Sequence, residues 1–237
     1  MTCFHPLKAW YSKDINPTGK RSLVFRPDEA LDFHDELRVP CGRCIGCRLE
    51  TSRQWAARIE CEKSLYDQSI FLTLTYSPEN LKSLSLIPED LTKFMKRLRK
   101  YVKSKYDKEI RFFACGEYGS QLSRPHFHVI IFGWRPLFCK KYNYNLFTSS
   151  EIEKIWKYGF CPFGDVTFES AAYVARYVTK KINGDKADEH YNGRIPEFVR
   201  MSRRPGIASS WIIINLYIYI FIQALIILII FIIEILT

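Results

Sequence analysis

Read as apolar and polar positions, the chain switches several times between a period of two and a period near 3.6. Ile70 to Tyr76 (IFLTLTY) alternates in the strand period and stops at Ser77-Pro78. After Pro88, the residues Leu91, Phe94, Met95, Leu98, Tyr101 and Val102 recur at helical spacing, which predicts an amphipathic helix. Residues 110–115 read as a second strand, and 126–132 (HFHVIIF) as a third that Gly133 closes. Earlier, a turn-rich stretch at Pro40, Gly42 and Gly46 leads into a helix that begins near Arg48 and runs toward Tyr66. Ser149 or Ser150 caps a short helix through Tyr158, ended by Gly159. A last helix covers about 170–182, before Asn183-Gly184. There are no internal repeats, and strands interleaved with helices predict an α+β domain. An N-terminal region, 1–68, is expected to be continuous with a core, 69–206.

Charge narrows the class. The chain has 35 Lys+Arg against 25 Asp+Glu, a formal charge of +10, and its 15% aromatic content excludes a disordered or collagen-like protein. A basic balance favours an anionic partner, either nucleic acid or a membrane surface. One helix concentrates it: Lys93, Lys96, Arg97, Arg99, Lys100, Lys103 and Lys105 lie opposite the apolar stripe of the helix after Pro88. That face is a DNA-binding surface or simply a solvated one. Eight cysteines are too sparse for a small disulfide scaffold and no secretory segment precedes them, so a reducing, cytoplasmic compartment is expected.

The pattern breaks at residue 211. From there to 237, 23 of 27 residues are apolar or aromatic and 13 are Ile. The stretch is long enough to span a bilayer, with Arg203 and Arg204 holding its N-terminal flank on the cytoplasmic side. Its Ile, Tyr, Phe and Asn bias is also what A/T-rich nucleotide sequence yields in an unselected frame. A membrane anchor and a frameshifted or run-on tail are the two readings.

Candidate chemistry gathers around the third strand. His126 and His128 share one strand face, about 7 Å apart along it, as hydrogen-bonded core residues or as ligands of one ion. Glu117, in GEYGSQLSRPHFHVIIFG, is carried back toward them by the hairpin that joins the two strands. Two imidazoles and a carboxylate suit Mg²⁺ or Mn²⁺, with water and phosphate oxygens completing the shell. On a helical wheel of residues 170–182, Tyr173 and Tyr177 fall side by side, flanked by Lys180 and Lys181 and outside the apolar stripe of Ala171, Val174, Ala175 and Val178. They are either surface tyrosines or nucleophiles beside phosphate-binding cations. Cys41, Cys44 and Cys47 form C-x2-C-x2-C. That motif is a small-residue turn, an iron-sulfur site, or a structural zinc site whose fourth ligand is Cys61, Cys3, His5 or His34.

These residues carry a resemblance. RPHFHVIIFG, with GEYG before it and AAYVARYVTKK after it, resembles the HUH endonucleases that initiate rolling-circle replication. PCGRCIGCRLETSRQWAARIE, FLTLTY, FMKRLRK, GDVTFESAAYVARYVTKK and PEFVRMSRRPGI resemble the replication initiators of gokushovirus-type Microviridae, over most of residues 38–207. The resemblance implies an antiparallel-sheet catalytic domain, with His126, His128 and Glu117 on the metal. It also implies Tyr173 and Tyr177 as paired nucleophiles and Lys180 or Lys181 as a charge-stabilising group. Attack by a tyrosine would leave a 5′-phosphotyrosine and a 3′-hydroxyl primer at the phage origin. Single-stranded phage DNA and host replication proteins are the implied partners, in the host cytoplasm, and a membrane only if the tail is functional. Family members continue as soluble sequence after SRRPGI, which favours the run-on reading of the tail. The competing functional classes are a non-catalytic, zinc-dependent DNA-binding protein and a membrane-anchored remnant.

Overall fold

The computed structural model describes residues 3–176 and 186–236, with side chains described up to residue 226 apart from 186. The chain forms two compact units, 1–53 and 54–237. In the first, β1 (Leu7–Ile15) is the middle strand of a three-stranded antiparallel sheet between β2 (Arg21–Val24) and β3 (Leu37–Val39). Asn16 shapes the β1–β2 turn, its Oδ1 accepting from the Thr18 and Lys20 amides. Trp10 is buried and donates its indole N–H to the Phe33 carbonyl at 2.9 Å. Only Ala9, Ala30 and Cys47 join it as buried hydrophobic residues among the described residues of this unit. The division falls inside α1 (Ile45–Lys63), whereas the sequence-based boundary at 68/69 follows the end of that helix.

The second unit holds β4 (Ser69–Leu74), α2 (Pro88–Tyr106), β5 (Arg111–Tyr118), β6 (Pro125–Phe132), β7 (Lys140–Asn143), β8 (Leu146–Thr148), α3 (Ser150–Trp156) and β9 (Phe163–Asp165). These are followed by α4 (Phe168–Arg176), α5 (Lys186–Tyr191), β10 (Phe198–Met201) and α6 (Ser209–Leu236). Seven strands make one sheet in the order β10-β5-β6-β4-β9-β8-β7, and every pairing is antiparallel. This is the α+β architecture, a large antiparallel sheet flanked by helices, that the sequence predicts.

Local chemistry explains where the elements start and stop. Pro88 sits at the start of α2, with Glu89 and Asp90 in its first turn and Lys103 and Lys105 in its last, matching the helix dipole. Asp107, at φ 50°, closes α2 with its amide on the Lys103 carbonyl. The helix α3 is capped by Ser149, whose hydroxyl accepts from the Glu151 amide. Its stop is Lys157, at φ 68°, not Gly159. Gly159 serves a different purpose: a Cβ there would lie 2.4 Å from the Ser77 nitrogen and 2.6 Å from the Thr75 oxygen. Its bare backbone lets the flanking Tyr158 and Phe160 carbonyls accept from the Ser77 and Thr75 amides.

The sheet is covered on both sides. One face packs Ile70, Leu72, Leu74, Phe127, Val129 and Ile131 against Leu91, Phe94, Leu98 and Val102 of α2 and against Ile152 and Trp156 of α3. The other packs Phe113, Cys115, Ile130 and Phe132 against Ile59 of α1 and Ala171 and Val174 of α4. Each large side chain buried in these layers contributes about 1.5–3 kcal/mol. The helix α6 lies outside both layers: Ser209–Ile226 is long and apolar enough to cross a membrane, has a mean hydropathy of 1.8, and is not buried.

Candidate active site

Strand parity builds the site. The antiparallel register sets Glu117 of β5 opposite His126 of β6, and Cys115 opposite His128. Residues paired this way project to the same face of a sheet. Glu117 is therefore a strand residue facing His126 directly, rather than part of the loop beyond a strand that ends at 115. On the other side of β6, His128 pairs with Thr73 of β4. All of these side chains share the face covered by α1 and α4.

Three groups converge on one oxygen. Glu117 Oε1 lies 2.6 Å from His126 Nε2 and 3.2 Å from His128 Nε2, and accepts a hydrogen bond from the Tyr173 hydroxyl at 3.1 Å. Glu117 and His128 are only 3% and 7% exposed. Burial opposes ionisation of Glu117, but hydrogen bonds from His126 and His128 and their charges outweigh it and hold the carboxyl down at about 2. Burial likewise pushes the His128 imidazole below its ordinary range, against the pull of Glu117. Tyr173 is pushed above the ordinary phenol range, first by burial and then by the Glu117 charge. At neutral pH the phenol is therefore protonated.

The donor set fits a divalent cation. His126 Nδ1 lies 3.1 Å from the Arg124 carbonyl, which can only accept, so the proton sits on Nδ1 and the Nε2 lone pair is available to a ligand. His128 Nδ1 is held at 3.0 Å from Thr73 Oγ1. The second Glu117 oxygen, Oε2, is buried without a hydrogen-bond partner, a costly state unless a cation is taken up there. The candidate ligand atoms of Glu117, His126 and His128 all lie within 4.8 Å of one another. A cleft of about 480 Å³, lined by Thr75, Ser77, Arg124 and Phe160 among others, opens beside His126.

Several expectations change. Tyr173 does not stand on an exposed polar face: its ring packs on the second apolar layer and edge-on to His128, at 5.2 Å between centroids, with only its hydroxyl turned to the carboxylate. The wheel misplaces it because a tyrosine body is apolar and its tip is not. Tyr177, Lys180 and Lys181 lie outside the described residues. The basic residues of α2 belong to the layer on the opposite side of the sheet from Glu117, so Lys93, Lys96, Arg97, Arg99, Lys100 and Lys103 do not join this site. Arg97 is half-buried over the Tyr158 ring, Arg99 lies over Phe112, and Lys103 pairs with Asp107. Arg99 and Lys103 instead line a separate basic cleft of about 660 Å³ with Lys108, Arg203 and Arg204.

Thr73, Phe71 and Arg176 escape the sequence reading. Phe71 stacks on the His128 ring at 5.3 Å, and the Arg176 guanidinium lies 5.6 Å from the centre of the Tyr173 ring. Thr73 carries a signal in retrospect, since it interrupts the apolar residues of IFLTLTY on the face that meets His128. Cys41, Cys44 and Cys47 come together with Cys3. Cys61 does not join them, because it lies about four turns further along α1 than Cys47.

The family described as replication-associated protein ORF2 matches residues 69–182. The replication-associated protein VP4 of Bdellovibrio phage phiMH2K is 36% identical over 222 residues, covering 90% of this chain and 67% of that protein. The replication-associated protein ORF2 of Spiroplasma virus 4 is 40% identical over 223 residues, 87% of this chain and 69% of that protein. The corresponding ORF4 protein of Chlamydia phage 1 is 34% identical over 192 residues, 68% of this chain and 48% of that protein. No solved structure matches the chain. Sequence identity of this extent, spanning both the thiol motif and the His126–His128 strand, makes the chain a member of the replication-associated protein family of gokushovirus-type phages.

Proposed function

We propose that the protein initiates rolling-circle replication by nicking single-stranded phage DNA at the origin, with Tyr173 as nucleophile. The observation that carries this reading is the Tyr173 hydroxyl, 3.1 Å from the carboxylate oxygen on which both histidines converge. A phenol that burial keeps protonated is a weak nucleophile and needs help at both ends of the transfer. Held by Glu117, His126 and His128, Mg²⁺ or Mn²⁺ would polarise the scissile phosphate and offset its charge.

The protein's own groups then have distinct tasks. Glu117 Oε1 orients the phenol through its hydrogen bond and is within reach of its proton. As the Tyr173 oxygen bonds to phosphorus, the bond from phosphorus to the 3′-oxygen breaks. The DNA 5′ end remains on the tyrosine and the 3′-hydroxyl is released as a primer. Arg176, beside the Tyr173 ring, contributes positive charge where the phosphate must approach. Tyr177 is the second acceptor in this reading, for rejoining the strand after a round of synthesis, with Lys180 or Lys181 supporting the charge. Host replication proteins are the expected downstream partners.

The test is incubation of the protein with origin-containing single-stranded DNA and Mn²⁺, followed by denaturing electrophoresis and peptide mapping of any adduct. A protein–DNA adduct on Tyr173 or Tyr177 is expected. Cleavage without an adduct, or an adduct on another residue, rules the proposed chemistry out.

A further inference from the structure

The 1–53 unit is poorly supplied with apolar core. Its buried hydrophobic residues, among those described, are Ala9, Trp10, Ala30 and Cys47, while Phe4, Leu7, Tyr11, Ile15, Phe25 and Phe33 are exposed. A unit of this size with one large buried side chain falls short of what hydrophobic burial must supply, and small units of this kind are commonly held by a metal or disulfides. All cysteines are free thiols.

Four of those thiols meet at one point. The Sγ atoms of Cys3, Cys41, Cys44 and Cys47 lie within 4.8 Å of one another. Backbone amides are aimed at the sulfurs: Cys41 N lies 3.3 Å from Cys3 Sγ, Cys44 N 3.4 Å from Cys41 Sγ, and Cys47 N 3.5 Å from Cys44 Sγ. Amides directed at sulfur stabilise thiolates rather than neutral thiols. Gly42, at φ +70°, supplies the left-handed residue that folds the chain around Cys41, and nothing approaches the position a Cβ would take. The four sulfurs come from two segments, the extreme N-terminus and the turn into α1, so an ion at their centre joins the two ends of the three-stranded sheet.

We propose that Cys3, Cys41, Cys44 and Cys47 form a tetrahedral four-thiolate zinc site that staples the N-terminus to the start of α1. Four sulfur ligands leave no open position, so the site is structural, and its metal-binding free energy contributes directly to the folding of this unit. The assignment is independent of the nicking chemistry and stands or falls separately from it.

The decisive measurement uses the purified full chain. Elemental analysis should give one zinc per chain, not removed by exchange into metal-free buffer. Alkylation followed by mass spectrometry should find Cys3, Cys41, Cys44 and Cys47 protected and Cys61 reactive, until a strong chelator exposes the four together. Replacement with Co²⁺ should give the visible absorption of a tetrahedral four-thiolate centre, which reports ligand number without any mutation. Cys3→Ser should lose the stoichiometric zinc and change the cobalt spectrum, whereas Cys61→Ser should keep both. Iron and sulfide in place of zinc, a Cys3–Cys44 disulfide in fresh protein, or unchanged zinc in Cys3→Ser would each overturn the proposal.

Discussion

The two faces of the seven-stranded sheet follow different rules although the same strands supply both. Under α2 and α3 the layer is dry: Phe127, Val129 and Ile131 of β6 meet Phe94 and Leu98, and Phe94 stands edge-on to Trp156 at 5.8 Å. Under α1 and α4 the same β6 alternates the other way, with Ile130 and Phe132 in the layer but His126 and His128 at the end nearer Pro125. Polarity is thus confined to one end of one face, beside the cleft at Arg124 and His126. The dry face carries stability and the mixed face carries chemistry. Burying a carboxylate is tolerable there because three neighbouring groups hydrogen-bond it and the apolar layer is completed elsewhere.

That contrast can be broken deliberately. The largest effect is expected for Tyr173→Phe combined with Tyr177→Phe, which keeps both rings and deletes both nucleophilic oxygens: adduct formation on denaturing gels should vanish while the circular dichroism spectrum stays native. Next, His126→Ala or His128→Ala should lower the nicking rate and Mn²⁺ affinity by at least about 100-fold. Normal Mn²⁺ binding by calorimetry in the double histidine variant would remove the metal assignment.

On the dry face the readouts should exchange places. Phe94→Ala should cost about 3–5 kcal/mol in denaturant unfolding, with Mn²⁺ affinity of the remaining folded protein unchanged. Acid should act on the mixed face alone. The Glu117 carboxyl is held at about 2, against an ordinary value of 4.5. Because the folded-state value is depressed, its stabilising contribution is complete above about pH 4.5 and is lost as the pH falls toward 2, by no more than roughly 3 kcal/mol. Glu117→Gln should therefore flatten the stability profile across that window. The smallest effect belongs to Lys93, Lys96 and Lys100, exposed on the far side of the sheet from the site. Changing all three to Gln should leave nicking of a short oligonucleotide within about twofold, and alter only the salt dependence of binding to longer DNA. A large loss of nicking would return α2 to the DNA path.

Much of the second unit is legible in the sequence because its central elements are strongly periodic. β4, β6 and α2 follow from alternation and from the Leu91–Leu98 stripe, and the paired histidines from H-x-H on a strand. What escapes has physical causes. The strands β1 and β2 expose Leu7, Tyr11, Ile15 and Leu23, so burial does not impose an alternating pattern on them. The strands β7, β8 and β9 are three or four residues long, too short for periodicity to rise above chance. Which side of the sheet α2 covers depends on how the chain crosses over, and no local pattern encodes that. The fourth thiol, Cys3, is separated from Cys41 by the whole three-stranded sheet, so spacing alone cannot choose it over Cys61.

The register of β5 on β6 also bears on which changes of length the gene can tolerate. The ladder runs from Arg111↔Phe132 to Tyr118↔Pro125, and beyond it the chain closes through Gly119 N to the Arg124 carbonyl and Ser123 N to the Gly119 carbonyl. Codons added or removed within 120–123 alter a surface turn and leave every pairing above it intact. One codon inserted between His126 and Phe132 has no such neutral outcome. It exchanges inward and outward positions beyond the insertion, sending an imidazole into the dry layer or a phenylalanine into the polar end. Length variation among working copies should accumulate in the turn and be purged from the strand, even where the inserted residue is itself harmless.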